Sequence, residues 1–156
     1  MCFEKKALFD AEINPFLHNA VLYYDPKSKK ELVVRLGPEV NLVSSILAKW
    51  NDPLGRLVAV AGNRARYLDR DAKRIRYYGI IPGKNITEVE EVVNEAVEKI
   101  NKSNINYETK GDPNSNSGAD YFSRLIHGRN IPPPIGSYAY TPGSRNGIMI
   151  RRKVEE

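Results

Sequence analysis

Short segments rich in aromatic and β-branched residues alternate along the chain with clusters of turn-forming residues. They predict β-strands over residues 16–24, 31–36, 56–61 and 74–81. The turn-forming segment 25–30 (DPKSKK) separates the first two of these strands, and Gly37-Pro38 ends the second. The pattern therefore predicts that the first two strands form a β-hairpin.

Apolar residues recur at helical spacing in three other segments. They predict helices over residues 39–50, 88–102 and 117–127. The middle helix has the clearest signals, because Thr87 is a good N-cap and Glu90 completes a capping box with it. The last helix has His127 and Gly128 at its end, an arrangement typical of a helix C-terminus.

The two ends of the chain show neither pattern. Residues 1–15 are predicted to form a loosely structured lead-in, and the Pro/Gly-rich residues 130–156 a tail that wraps the surface. No internal repeat or low-complexity linker divides the chain, and its 156 residues fit one domain spanning 1–156. We therefore expect an α+β fold in which a small antiparallel sheet packs against two or three helices.

Composition narrows the classes of function. Apolar residues make up 41% of the chain and charged residues 28%, as in ordinary globular proteins. One cysteine, Cys2, and two histidines cannot form an intrachain disulfide or a common structural zinc site. The segment 1–10 lacks the apolar core of a signal peptide, and no apolar run approaches the about 18 residues of a membrane span. We expect no metal, no cofactor and no membrane span, in a protein that is cytoplasmic or delivered within a larger secreted protein.

The net charge of +5 and the pI of about 9.3 suggest an acidic partner. An acidic immunity or inhibitor protein would match this charge, and so would nucleic acid. The segment 64–78 interleaves arginines with tyrosines, residue types that grip phosphates and stack on bases. The candidate nucleic-acid-binding residues are Arg64, Arg66, Arg74 and Arg76. With His18 as acid or base, a metal-free ribonuclease is one alternative, and a solvated charged surface is the simpler explanation.

The segment 111–128 (GDPNSNSGADYFSRLIHG) carries the main candidate for chemistry. Asn114, Ser115, Asn116 and Ser117 precede the apolar pattern of the last predicted helix. Such side chains cap helices because they accept hydrogen bonds from the free N–H groups of the first turn, so a helix cap is the simplest explanation. A nucleophile at the same place would face the positive end of the helix dipole, and the first-turn N–H groups could receive an oxyanion.

A serine nucleophile at this position needs a base, because its hydroxyl reacts weakly at neutral pH. The chain has two imidazoles, His18 and His127. His127 lies roughly 14 Å or more along the same predicted helix as Ser115 and is expected to cap the end of that helix. His18 lies in the first predicted strand and is the remaining candidate base, although a strand histidine is more often a core residue.

The order of these parts resembles the circularly permuted papain-like hydrolases, which include the lecithin:retinol acyltransferase branch and the permuted NlpC-like group. In those families the base histidine precedes the nucleophile in the sequence. The matching pieces lie within residues 15–135 and are FLHNAVLYYDP with His18, Arg35-Leu36-Gly37-Pro38, INKSNINY (100–107), Asn114-Ser115-Asn116-Ser117 and Ile131-Pro132-Pro133-Pro134.

The resemblance implies a papain-like hydrolase or acyltransferase, with Ser115 at the nucleophile position and His18 as the general base. Asn114 and Asn116 would shape the turn, and the backbone N–H groups near Ser115 to Ser117 would hold the oxyanion. Some modules that look like this one are C-terminal toxin domains of large secreted bacterial proteins. The resemblance therefore implies an antibacterial toxin domain that acts on a peptide, amide or acyl substrate.

The usual nucleophile of these families is cysteine, whereas this chain has Ser115. Three explanations stay open: a serine variant that catalyses, a variant that has lost catalysis and only binds, and an engineered replacement of cysteine. Serine has a much higher pKa than cysteine, so a Ser–His pair without an orienting third group would react slowly. Asn19 and Glu31 are polar residues near the predicted hairpin, and neither is singled out as that third group.

Overall fold

The computed structural model describes residues 2–9, 17–39, 55–63, 74–80, 83–108, 113–128 and 148–155. The strands are β1 (Cys2–Phe9), β2 (Leu17–Asp25), β3 (Lys30–Pro38), β4 (Leu57–Gly62) and β5 (Arg74–Ile80). The helices are α1 (Ile86–Lys102), α2 (Ser115–His127) and α3 (Ile148–Glu155). The predicted α+β architecture is confirmed, while the helix predicted over 39–50 lies outside the described residues from residue 40 onward.

The strands of the described residues form one antiparallel sheet in the order β4-β3-β2-β1-β5. β1 to β4 are neighbours in chain order, and β5 returns to the far edge beside β1. The predicted hairpin is confirmed, because β2 pairs with β3 up to Asp25 and Lys30. The Asp25 carboxylate holds the turn by accepting hydrogen bonds from the backbone N–H of Lys27 (3.0 Å) and the hydroxyl of Ser28 (2.6 Å).

The predicted lead-in over residues 1–15 is wrong for residues 2–9, which form β1. This strand lies between β2 and β5 and pairs with both. Its sequence, CFEKKALF, has a run of charged residues that interrupts any apolar alternation, so its strand state depends on pairing with other segments. The predicted tail over 130–156 is likewise wrong for residues 148–155, which form α3.

Helix α1 begins earlier than the helix predicted over 88–102. Asn85, not Thr87, is the N-cap, and its side chain accepts a hydrogen bond from the N–H of Glu88 (3.0 Å). The Glu88 carboxylate accepts in return from the N–H of Asn85 (2.8 Å), which completes the capping box. The earlier start brings Ile86 into the core, where it is buried.

The hydrophobic core lies between one face of the sheet and the helices. The central strands contribute alternate residues to it, and each helix contributes a stripe. Burial of one valine, leucine or isoleucine side chain stabilises the fold by about 1.5–3 kcal/mol relative to exposure. The strand and α1 members are Val21, Tyr23, Leu32, Val34, Leu36, Leu57, Ala59, Ile86, Val89, Val93, Ala96 and Ile100.

The link between α1 and α2 runs along the outer edge of β4. The N–H of Leu57 donates to the carbonyl of Ile105 (2.7 Å), and the N–H of Tyr107 donates to the carbonyl of Gly55 (3.0 Å). These bonds bring Tyr107, whose side chain is buried in the core, towards the start of α2.

Candidate functional site

Helix α2 begins at Ser115, earlier than the predicted start at residue 117, with Asn114 as its N-cap. The side-chain oxygen of Asn114 accepts hydrogen bonds from the N–H groups of Asn116 (2.9 Å) and Ser117 (3.0 Å). The hydroxyl of Ser117 accepts in return from the N–H of Asn114 (2.7 Å). Asn114 and Ser117 thus form a capping box, which explains why the helix starts at this point in the sequence.

All four residues of the segment Asn114–Ser117 are buried, with exposures between 0% and 2%. A helix cap at the protein surface leaves its polar side chains in water, so this burial sets the segment apart from an ordinary cap. Burying polar groups costs free energy unless they are hydrogen-bonded, and the bonds of Asn114 and Ser117 meet that requirement. The N-terminus of α2 is therefore an organised polar site inside the molecule.

The hydroxyl of Tyr107 meets Ser115 at this site. Burial raises the pKa of the Tyr107 hydroxyl above its ordinary value of 10.0. Hydrogen bonds from the side chain and the backbone of Ser115, and then the positive charge of Arg35, act in the opposite direction without cancelling the effect of burial. The phenol therefore keeps its proton at neutral pH, and the hydroxyls of Tyr107 and Ser115 lie together within reach of a positive charge.

The first turn of α2 packs closely against β3. A Cβ atom at Gly118 would lie 2.5 Å from Cδ2 of Leu36, so glycine allows an approach that a larger residue would obstruct. On β2, the hydroxyl of Tyr23 donates a 3.1 Å hydrogen bond to the carbonyl of Phe122. These two contacts hold α2 on the sheet and place its N-terminal turn beside the strand that carries Arg35.

His18 lies near the start of β2, opposite Leu8 of β1. Residues of a strand alternate between the two faces of a sheet, and Val21 belongs to the face covered by the helices. The position of His18 therefore belongs to the opposite face. The position of Arg35 belongs to that face as well, because its neighbour Val34 pairs with Val21. The register thus places the position of His18 on the face of the sheet away from α2, and it does not by itself bring His18 to Ser115.

His127 is the last residue of α2. It lies about 18 Å from Ser115 along the helix axis, at 1.5 Å per residue. Gly128, with a φ of 74°, ends the helix in the left-handed conformation, and its N–H donates to the carbonyl of Arg124 (2.9 Å). The helix thus ends at His127 and Gly128, as predicted, and its length keeps His127 away from Ser115.

The candidate nucleic-acid-binding arginines of the described residues lie away from Ser115. Arg74 and Arg76 lie in β5, an outer strand of the sheet that pairs with β1. β1 and β2 separate β5 from β3, which corresponds to roughly 14 Å at about 4.8 Å between neighbouring strands. Arg64 and Arg66 lie outside the described residues.

Sequence reasoning assigns no role to Tyr107, Arg35 or Asp120. Tyr107 and Arg35 lie in pieces that match the permuted papain-like families, but their proximity arises only when the link between α1 and α2 docks on β4. Asp120 is fully buried in α2. It lies between Asn116 and Ser123 at helical spacing, and this spacing could have indicated a buried polar face of the helix.

In the part of the chain that the structure describes, no cluster of three or more His, Cys, Asp or Glu side chains is arranged to hold a metal ion. The helices of the described ranges also include none with the length and apolar character of a membrane span. No family model, curated protein or solved structure matches the chain.

Proposed function

We propose that this chain is a papain-like hydrolase or acyltransferase in which Ser115 is the nucleophile and His18, although its strand position lies on the face away from α2, is the general base. One observation carries the proposal: Ser115 is the first residue of a buried helix N-terminus and meets the buried hydroxyl of Tyr107. Burying hydroxyl groups costs free energy, and a helix cap functions equally well at the protein surface. A capping role alone therefore does not explain the burial. A nucleophile, by contrast, benefits from an ordered site that excludes water.

The hydrogen bonds in the first turn of α2 indicate which of its residues hold the turn in place. A helix N-terminus carries roughly half a positive charge, which favours negative charge developing on Oγ of Ser115 or on a substrate oxygen. The N–H groups of Asn116 and Ser117 are bonded to the Asn114 side chain, so these three residues hold the turn. The N–H of Ser115 bonds the Tyr107 hydroxyl, so an oxyanion at the start of α2 would have to share or replace one of these partners.

The reaction consists of an acylation and a deacylation step. His18 takes the proton of the Ser115 hydroxyl as Oγ bonds to the acyl carbon, and gives this proton to the leaving group as the old bond breaks. Water in a hydrolase, or an acceptor hydroxyl or amine in an acyltransferase, then attacks the acyl group. His18 takes the proton of the attacking group and returns it to Oγ as the acyl–serine bond breaks.

A fluorophosphonate probe tests Ser115 without knowledge of the substrate, because it modifies activated serines. We expect the unsubstituted chain to be labelled at Ser115, as located by peptide mass spectrometry, and Ser115→Ala and His18→Gln to lose the label. Ser123→Ala and His127→Gln are the matched controls, since they change the same residue types elsewhere on α2. Labelling of the Ser115→Ala variant, or undiminished labelling of the His18→Gln variant, would contradict the proposal.

From the resemblance we also propose an antibacterial toxin activity, which has a separate test. Growth of bacteria that express the unsubstituted chain is compared with growth on expression of Ser115→Ala or His18→Gln. We expect the unsubstituted chain to slow growth and each substitution to restore it, at equal protein levels. Equal growth with all three chains would show that this residue pair does not cause toxicity.

The alternative is a binding module that keeps the fold without catalysis. The capping box of Asn114 and Ser117 favours it, because the two residues satisfy each other without a ligand. This alternative predicts that the probe labels no serine even when circular dichroism shows a normally folded chain. Labelling at Ser115 would exclude it.

A further inference from the structure

Tyr107 is held in place by the backbone on both of its sides. Its N–H donates to the carbonyl of Gly55 (3.0 Å), and the N–H of Glu108 donates to the carbonyl of Pro113 (2.8 Å). The second bond joins the segment that carries Tyr107 to the residue just before the α2 cap. Because the Tyr107 ring also packs in the core, its hydroxyl is fixed beside Ser115 before any substrate arrives.

The cap residues and Tyr107 contact different atoms. The bonds between Asn114 and Ser117 involve only these two residues and first-turn N–H groups. The hydroxyl of Tyr107, by contrast, meets both the side chain and the backbone of Ser115. A group that bonds two atoms of one residue restricts its side-chain torsion more than a single contact does.

From this geometry we propose that Tyr107 is a positioning residue for Ser115. The phenol oxygen accepts hydrogen bonds from the N–H and from the hydroxyl of Ser115. When the serine hydroxyl turns its proton to the base, the phenol donates its own proton to Oγ. The two bonds of the resting site hold Oγ in one rotamer. The inference rests on the proposed function, in which Oγ is the attacking atom.

The donated hydrogen bond stabilises negative charge on Oγ as the serine proton leaves. Hydrogen bonds to a charged oxygen are roughly twice as strong as those between neutral groups, and burial strengthens them further. Tyr107 remains a donor throughout the neutral range, because burial keeps its pKa above the ordinary value. Removal of its hydroxyl should therefore slow bond formation at Ser115 more than it weakens binding of the reacting molecule.

The concentration dependence of fluorophosphonate labelling separates these two effects. For Tyr107→Phe we expect the maximal labelling rate at Ser115 to fall about tenfold or more, while the half-saturating probe concentration changes by less than about twofold. Tyr23→Phe is the matched control, because it removes a buried hydroxyl that bonds α2 at the Phe122 carbonyl. This control should label at close to the rate of the unsubstituted chain.

An unchanged maximal rate for Tyr107→Phe, or an equal loss in both variants, would overturn the inference. Absence of labelling in the unsubstituted chain would instead overturn the hydrolase proposal and, with it, this role. A second measurement needs no activity: in protein carrying ¹³C at the tyrosine Cζ atoms, Ser115→Ala should shift the Tyr107 resonance and leave that of Tyr23 in place. No shift at Tyr107 would overturn the contact on which the inference depends.

Discussion

The side-chain amide of Asn101 and the backbone of Ala59 form two hydrogen bonds, from the Ala59 N–H to Oδ1 (2.8 Å) and from Nδ2 to the Ala59 carbonyl (3.0 Å). The amide pairs with β4 as a residue of a neighbouring strand would. It joins the end of α1 to the outer edge of β4, just before the chain runs along that edge towards Tyr107. Free backbone groups at a strand edge invite pairing with other chains, and this contact occupies part of the edge.

Asn101→Ala removes both of these hydrogen bonds. We expect the free energy of unfolding to fall by about 1–3 kcal/mol, because partly buried backbone groups of Ala59 lose their partner. Asn94→Ala, at an exposed position of the same helix, is the control and should change the free energy of unfolding by less than about 0.5 kcal/mol. Urea unfolding followed by circular dichroism measures both variants, and equal losses would contradict the role assigned to Asn101.

Gly118→Ala tests the close approach of α2 to β3. In an unobstructed helix this substitution is stabilising by roughly 0.5–1 kcal/mol, but here the new methyl group would lie 2.5 Å from Leu36. We expect the free energy of unfolding to fall by about 1–3 kcal/mol instead. The double variant with Leu36→Ala should lose less than the sum of the two single losses, because the shorter side chain relieves the clash. Strict additivity in urea unfolding would show that the two residues do not meet.

The exposed ion pair of Glu39 and Arg56 makes the free energy of unfolding depend on pH. Hydrogen bonds from Arg56 lower the pKa of the Glu39 carboxyl below its ordinary value of 4.5. Because the pKa is lower in the folded state, the stabilisation is present above pH 4.5 and is lost as the pH falls through the lower folded value. In an NMR titration, Arg56→Gln should move the Glu39 pKa back up towards 4.5. An unaltered Glu39 titration would rule out the pair as the cause.

Ser115→Cys, in a chain that also carries Cys2→Ser, introduces the nucleophile type that the permuted papain-like families use. A helix N-terminus and an imidazole both favour the thiolate, so we expect the pKa of the new thiol to lie below the about 8.5 of a free cysteine. The rate of alkylation by iodoacetamide as a function of pH measures this pKa. Ser123→Cys in the same background is the control, and a midpoint at Ser115→Cys no lower than in the control would count against the proposed environment.

Most elements of the fold could be predicted from local signals. The segments that form β2 to β5, α1 and α2 lie close to their predicted bounds, because apolar runs, turn residues and caps act over a few residues. β1 could not be predicted in this way, since its charged middle hides the alternation and its strand state depends on partners at both edges. The start of α1 differs from the predicted one because Asn85 and Glu88 show the same cap spacing as Thr87 and Glu90.

The candidate site could be predicted only in part. Asn114 and Ser117 mark a helix start in the sequence, because capping is a local pattern. The contact of Tyr107 with Ser115 depends on the docking of a link on β4, which no single segment encodes. The face shared by the positions of His18 and Arg35 depends on strand register, which requires the pairing of two strands.

The place of β1 inside the sheet, between β2 and β5, makes residues 2–9 part of the molecule's framework. β2 and β5 lie on either side of it and do not touch each other across the sheet. Proteolytic removal of residues 2–9 would therefore divide the sheet into two pieces and leave two facing rows of backbone donors and acceptors without the strand that joined them. Damage to this strand would reach β2, which carries the candidate base, without crossing any other element.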